Sequence, residues 1–182
     1  VYVSHAIEAV IRIADTMVVM SDGQVAASGP VETIMSRLDL HPLTGRYETG
    51  AVLTATVAGT DLGFCLTELA FAGHRLWVPR IDLPLCTSLR VRIRARDVSL
   101  CLSPPTGISI LNVLPGTVAE VGAGDQPQVD VLLDVGAPLI ARVTRRSIEA
   151  LELRPGLPVY ALIKAIALDR ASLGRRGTAA RD

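Results

Sequence analysis

Aromatic residues are scarce in this chain of 182 residues, making up 3% of it. A surface that stacks single-stranded nucleic acid needs several exposed rings, so we expect no nucleic-acid partner. An excess charge of either sign is also missing, because 18 basic residues balance 18 acidic ones, and no overall field attracts nucleic acid or an anionic membrane. Long apolar runs are missing too, since none reaches the roughly 18 residues of a membrane span.

The sequence also lacks the short motifs of common catalytic centres. It contains no glycine-rich phosphate loop, no H-E-x-x-H motif and no G-x-S-x-G motif. None of its histidines has a neighbour at metal-ligand spacing. The three cysteines, Cys65, Cys86 and Cys101, match no zinc pattern, so we expect reduced and mostly buried thiols. We therefore predict neither a self-contained active site nor a metal centre.

Apolar residues, in contrast, make up 49% of the chain, and in its first part they alternate between helical and strand periods. Residues 1–38 are predicted to be an α/β remnant of a longer chain, since the sequence opens on Val1 rather than Met. Residues 39–47 form a turn-rich linker. The elements expected in the remnant are a strand at 1–3, a helix after Ser4, a strand at 17–20, an Asp-Gly turn, a strand at 25–28 and a helix over 31–38.

Beyond the linker the apolar period changes to two, and glycine and proline recur between the runs. This pattern is typical of short antiparallel strands, so we predict a mainly β region of two small OB-like barrels. The predicted boundaries are 48–103 for the first barrel, 104–108 for the joint, 109–169 for the second barrel and 170–182 for a frayed tail.

The two barrels are predicted to be related by an internal repeat. Residues 89–102 (LRVRIRARDVSLCL) are similar to residues 157–170 (LPVYALIKAIALDR), since each has an apolar strand, a basic residue followed by alanine, and a second apolar strand. The first copy also carries an arginine stripe, which we expect to be a solvated strand face or a contact with a partner subunit. The stripe consists of Arg90, Arg92, Arg94 and Arg96.

Residues 2–37 resemble the end of an ABC transporter ATPase domain in order and spacing. The resemblance rests on Val-Ser-His at 3–5, Ile-Ala-Asp at 13–15, Ser-Asp-Gly-Gln-Val at 21–25 and Gly-Pro at 29–30. It implies that His5 is the switch histidine that contacts the γ-phosphate of ATP, with ATP and Mg²⁺ held by the parent chain. Without the resemblance, His5 is an ordinary residue at a helix start. The phosphate loop, the signature segment and the acidic residue before the switch histidine are missing, so we expect no ATP hydrolysis by this chain alone.

The second barrel resembles a Mop-type molybdate-binding domain. The matching residues are Ser-Ile-Leu-Asn-Val-Leu-Pro-Gly at 109–116, Gln-Val-Asp-Val at 128–131, Ala-Arg-Val-Thr at 141–144, Ser147, Leu-Arg-Pro-Gly at 153–156 and Ile-Lys-Ala at 163–165. Two such units behind an ABC ATPase domain are the arrangement of the ATPase subunit of molybdate importers. The resemblance implies an oxyanion pocket between neighbouring subunits. Its expected ligands are Ser109, Asn112, Thr144, Arg145, Ser147 and Lys164.

The chemistry of these residues suits a tetrahedral dianion, which needs hydroxyl and amide donors and one or two cations. Lys164 is the only lysine of the chain. Two positions depart from the family pattern, because Leu111 stands where a basic residue is frequent and Ile166 where a polar one would help. Arg142, Arg145 or Arg146 can compensate for the missing cation. Otherwise the pocket has lapsed, and the barrels serve as a dimerisation platform.

The sequence thus predicts the regulatory, oxyanion-sensing and dimerisation region of an ATPase that powers molybdate import. The expected ligands of the barrels are molybdate or tungstate. The expected partners are a second copy and the membrane permease, at the cytoplasmic face of the cell membrane. Two alternatives remain: a regulatory domain of an importer for another solute, such as sulfate, sugar or iron, and a stand-alone molybdate-binding or storage protein.

Overall fold

The computed structural model of the chain describes residues 1–4, 7–40, 43, 49–123, 126–168 and 173–175. His5 lies outside these residues, as do most of the linker and most of the tail. The helices are α1 Ile7–Ile13, α2 Val31–Met35 and α3 Arg145–Ala150. The strands are β1 Thr16–Ser21, β2 Gln24–Pro30, β3 Gly50–Asp61, β4 Leu66–Phe71, β5 His74–Pro79, β6 Ser88–Arg94, β7 Val98–Cys101, β8 Asn112–Val121, β9 Gln128–Asp134, β10 Pro138–Thr144, β11 Pro158–Ile163 and β12 Leu173–Arg175.

The α/β part consists of α1, the β1–β2 hairpin and α2. The predicted Asp-Gly turn is confirmed, because Asp22 and Gly23 both adopt positive φ, as a tight hairpin turn with right-handed strand twist requires. The predicted strand at 1–3 is wrong: these residues are exposed, and no described strand pairs with them to supply a ladder. Helix α2 ends at Met35 and not at residue 38 as predicted. At this end the Ser36 hydroxyl donates to the carbonyl of Thr33.

The region beyond residue 49 is mainly β, as predicted, and forms two five-stranded antiparallel sheets. The first sheet has the order β5-β4-β3-β6-β12, and the second has the order β10-β9-β8-β11-β7. When β3 is matched with β8, each strand of the first sheet has a counterpart at the same place in the second sheet. This equivalence agrees with the repeat seen in the sequence.

The two sheets exchange their last strands. β7 follows β6 in sequence but pairs with β11, while β12 follows β11 and pairs with β6. β7 therefore lies within the range predicted for the first barrel yet belongs to the second sheet. β12 lies in the stretch that was expected to be frayed, but residues 173–175 form a ladder with residues 89–91.

Each exchanged strand is preceded by a short 3-10 turn at the basic–alanine pair of the repeat. The first crossover turn, Ala95–Asp97, packs against β10, and the second, Ala165–Ala167, packs against the equivalent strand β5. Both alanines are buried where the turns pack against the other sheet. In both copies of the repeat, the chain therefore crosses from one sheet to the other at this turn.

The exchange gives the two sheets one continuous apolar core. Strands of both contribute their alternate, inward-facing residues, as the period of two requires. No helix among the described residues is long and apolar enough to cross a membrane. The large core residues that are nearly inaccessible include Leu53, Leu69, Leu76 and Leu89 of the first sheet and Leu114, Leu133, Leu139 and Ile163 of the second.

Candidate functional site

One group of the predicted oxyanion ligands lies where β8 begins and β11 ends. Asn112 pairs with Ile163, so Leu111 and Lys164 both extend past the ladder at the same end of the sheet. The Lys164 side chain is exposed and has neither a hydrogen bond nor an ion pair with any residue that the structure describes. Ser109 is exposed three residues before β8. This end of the sheet therefore offers a cation and a hydroxyl to solvent.

Asn112, in contrast, is buried, with 1% of its surface exposed, and its side chain bonds to the edge of β5. Its Oδ1 accepts from the backbone N–H of Trp77 at 2.6 Å, and its Nδ2 donates to the Trp77 carbonyl at 3.0 Å. Trp77 pairs with Glu68 of β4 on its other side, so Asn112 takes the place of a missing strand. This clamp between the sheets was missed from the sequence, where nothing indicates that residues 77 and 112 meet.

The second group of predicted ligands lies at the junction of β10 and α3. The predicted helical turn from Thr144 to Leu151 is confirmed, with Thr144 as N-cap and Leu151 as C-cap. The Thr144 Oγ1 accepts from the Ser147 N–H at 3.1 Å and lies 2.8 Å from the Ser147 Oγ. Thr144 and Arg145 are exposed, and Ser147 is half-buried. An exposed threonine, a half-buried serine and an exposed arginine therefore lie together at this junction, with the two hydroxyls in hydrogen-bond contact.

The strand register places the two groups at opposite ends of the second sheet. Thr117, Asp134 and Pro138 lie in one row across β8, β9 and β10. Thr144 lies six positions from this row in one direction, and Asn112 lies five positions from it in the other. Within one copy of the chain, the pairing therefore separates the six predicted ligands into two half-sites. The Lys164 half-site comprises Ser109, Asn112 and Lys164, and the Thr144 half-site comprises Thr144, Arg145 and Ser147.

The cations proposed to compensate for Leu111 have different environments. Arg142 is not available, because its guanidinium forms a bidentate pair with Asp130 across β9 and β10, with both N–O distances at 2.7 Å and both side chains 14% exposed. In a bidentate pair of this kind the carboxylate already neutralises the guanidinium charge, which an oxyanion would otherwise bind. Arg145 also takes part in an interaction. Arg146 is exposed and is the remaining candidate.

The arginine stripe is not a solvated face, which corrects the expectation for its first two members. Arg90 and Arg92 are each only 3% exposed. Arg90 lies among the acidic and carbonyl oxygens of the α/β part. Val52 of the neighbouring strand β3 packs into the apolar cluster of that part as well. The stripe is therefore the junction between the first sheet and the α/β part.

The cysteines also differ from expectation. Cys65 and Cys86 are exposed and Cys101 is half-buried, and all three are free thiols. Cys65 and Cys86 have positive φ and lie in turns at the end of the first sheet, where side chains point outward. Among the described residues, no group of three or more histidine, cysteine or acidic side chains comes together as a metal site.

Comparison with known proteins identifies a domain match and homologues of the chain. A model of the TOBE domain matches residues 108–168. The chain is 46% identical over 175 residues to the molybdenum import ATP-binding protein ModC of Mesorhizobium japonicum, covering 96% of this chain and 47% of that protein. It is 53% identical over 169 residues to ModC of Thiobacillus denitrificans, covering 92% of this chain and 46% of that protein. The chain thus spans about half the length of the curated relatives that it matches.

A solved structure supports the fold. The cytoplasmic molybdate-binding protein ModG, determined with molybdate bound, matches with a TM-score of 0.57 and 24% sequence identity, covering 69% of this chain and 95% of that one. The match confirms the OB-like architecture predicted for the β region. The molybdenum import ATP-binding proteins ModC are therefore homologues of this chain, which matches their C-terminal part and carries a TOBE domain over residues 108–168.

Proposed function

We propose that this chain is the oxyanion-sensing and dimerisation region of an ATPase subunit that powers molybdate import. The observation that carries the proposal is Lys164, the only lysine of the chain, which stands exposed beside the start of β8 with no partner among the residues described. An exposed cation without a counter-charge suits an anionic ligand from solution. The ModC relatives and the TOBE match support the assignment to molybdate.

The pocket would form between two copies of the chain. Molybdate has four acceptor oxygens, and neither half-site alone offers enough donors to surround it. Lys164 and Ser109 of one copy would complete the site with Thr144, Arg145 and Ser147 of the other. The exposed Leu111 and Ile166, at 53% and 79%, flank Lys164 in sequence and register, and their burial would favour the contact between copies.

The parent protein would supply the nucleotide chemistry. In it, ATP and Mg²⁺ would be held by residues that precede this chain, and His5 would contact the γ-phosphate of ATP. A membrane permease would be the partner of the ATPase, at the cytoplasmic face of the cell membrane. The ModC relatives support these roles, while importers of sulfate, sugar or iron and a stand-alone storage protein are not favoured.

A titration of the chain with oxyanions tests the proposal. Molybdate and tungstate, which are nearly equal in size and charge, should bind and compete for one site. Sulfate is smaller, so donors placed for longer metal–oxygen bonds cannot all reach it, and it should compete poorly. The measurement is isothermal titration calorimetry with each anion alone and in competition. Equal affinity for sulfate and molybdate would contradict the assignment to molybdate.

Leu111 favours a second candidate function, in which the pocket has lapsed and the barrels only hold two copies together. The Leu111→Arg variant separates the two candidates, because it adds a cation beside Lys164, where the anion would bind. We expect tighter molybdate binding by this variant, and no change in the control Leu62→Arg, at an exposed position in the turn between β3 and β4. Absence of binding heat at millimolar molybdate in the wild type and in Leu111→Arg would favour the purely structural role.

A further inference from the structure

Arg90 holds the first sheet to both helices of the α/β part. Its Nη1 donates to the Ala14 carbonyl at 2.7 Å, just past the end of α1. Its Nη2 donates to Asp15 at 2.7 Å, and its Nε donates to Glu32 of α2 at 2.9 Å. The Arg90 side chain is 3% exposed, whereas Asp15 is 75% exposed. One guanidinium thus makes three directed contacts, a geometry that the single ammonium of lysine cannot reproduce.

The same arginine lies beside the strand that arrives from the second sheet. Gly174 of β12 pairs with Arg90, and β12 also contacts α1. In sequence, β12 follows the second crossover turn, of which Lys164 is the N-cap. A displacement of this turn when an anion binds Lys164 would therefore act on β12, on Arg90 and on the end of α1.

We propose that Arg90 is a positioning residue for the ATP site, through which occupancy of the Lys164 half-site sets the position of α1. His5, which the resemblance implies is the switch histidine, precedes α1 by two positions in sequence, so α1 is the described helix nearest to it along the chain. This inference rests on the proposed function, because it assumes that the parent chain hydrolyses ATP and that the barrels bind an oxyanion. It adds the physical connection between the two sites.

The first test uses the full-length protein assembled with its permease. ATP hydrolysis is measured against molybdate concentration for the wild type, Arg90→Lys, Arg90→Gln and the control Arg96→Gln, and molybdate binding is measured on the same samples by calorimetry. The wild type and the control should change their hydrolysis rate as the sites fill. The Arg90 variants should bind molybdate within about twofold of the wild type, yet their rate should respond less than about one third as much. A full response in Arg90→Gln overturns the inference.

A second readout separates this failure from failure of the proposed function. Hydrogen exchange of the α1 amides is compared without molybdate in the wild type, Arg90→Lys and the milder variant Asp15→Asn, whose exposed carboxylate can be neutralised without burying a polar group. Exchange of α1 should accelerate at least about fivefold in both variants, with β3 amides unchanged. Unchanged α1 exchange overturns the positioning role, whatever molybdate does. The other outcome is that the ATP hydrolysis rate of the wild type does not change when molybdate binds, while α1 exchange in the variants changes as expected. That outcome overturns the regulatory function and with it the transmission through Arg90.

Discussion

Asn112 and Lys164 belong to the same predicted ligand set, but the structure gives them different environments. Asn112 is buried and uses its amide to close the edge of β5, whereas Lys164 is exposed and without a partner among the described residues. The difference depends on whether another strand edge faces the residue. A side chain that already satisfies buried backbone groups has less capacity for a ligand. We therefore expect Lys164 to contribute most to affinity and Asn112 to contribute most to stability.

Replacing Lys164 by alanine should weaken molybdate binding by about ten- to a hundredfold, since a charge-assisted hydrogen bond contributes about 1.5–3 kcal/mol. The matched control is Arg96→Ala, which removes one exposed positive charge from the first crossover turn, outside the candidate site. Calorimetric titration measures both. Equal losses in the two variants would mean that net charge, rather than a contact at Lys164, attracts the anion.

Replacing Asn112 by alanine should lower the free energy of unfolding by about 1–3 kcal/mol, because the backbone N–H and carbonyl of Trp77 are left without their partner. The control is Ser109→Ala, an exposed change three residues away that should alter stability little. Urea unfolding followed by the fluorescence of Trp77, the only tryptophan, measures both. Equal stability of Asn112→Ala and the wild type would contradict the clamp.

At the scale of elements, the exchanged strands couple the two sheets. β7 and β12 each leave the sheet of the strand before them, so neither sheet is complete without the other unit. The paired strands cover the edges of β11 and β6, which would otherwise expose unpaired backbone groups. The joint predicted at 104–108 therefore connects two units that have already exchanged a strand.

Truncation of the chain after Leu168 should destabilise both β6 and α1. It removes β12, which pairs with residues 89–91 and contacts α1. We expect faster hydrogen exchange at β6 and α1, with β8 and β9 nearly unchanged. Truncation after Arg175 is the control, because it retains β12. If the two truncated chains exchange alike, β12 contributes nothing to this junction.

The sequence predicts the positions of most strands, but it does not predict which distant strands pair with one another. The period of two located most strands, and the basic–alanine pairs at 94–95 and 164–165 marked the repeat. Pattern alone did not show that each repeat crosses to the other sheet, since the partner of a strand edge is not encoded locally. For the same reason the sequence predicts a solvated strand face or a partner contact for the arginine stripe, although Arg90 and Arg92 are buried and Arg90 bonds to the α/β part.

At the scale of the whole molecule, the central claim is that two copies share each oxyanion site. The register separates the Lys164 half-site from the Thr144 half-site within one copy, and a symmetric pair would join them twice. The exposed apolar residues beside Lys164 give the pair a surface to bury. A site divided in this way binds the anion only in the paired state, so anion binding should also strengthen pairing.

Mixing two defective chains tests this claim most directly. Lys164→Ala impairs one half-site, and the double variant Thr144→Val, Ser147→Ala impairs the other, so each chain alone should bind molybdate weakly. In co-expressed mixed pairs, one site combines both intact halves. Random pairing should therefore restore wild-type affinity at about one quarter of all sites. Calorimetric titration of the mixture should show this tight fraction. Its absence, with both chains folded and paired, would contradict a site shared between copies.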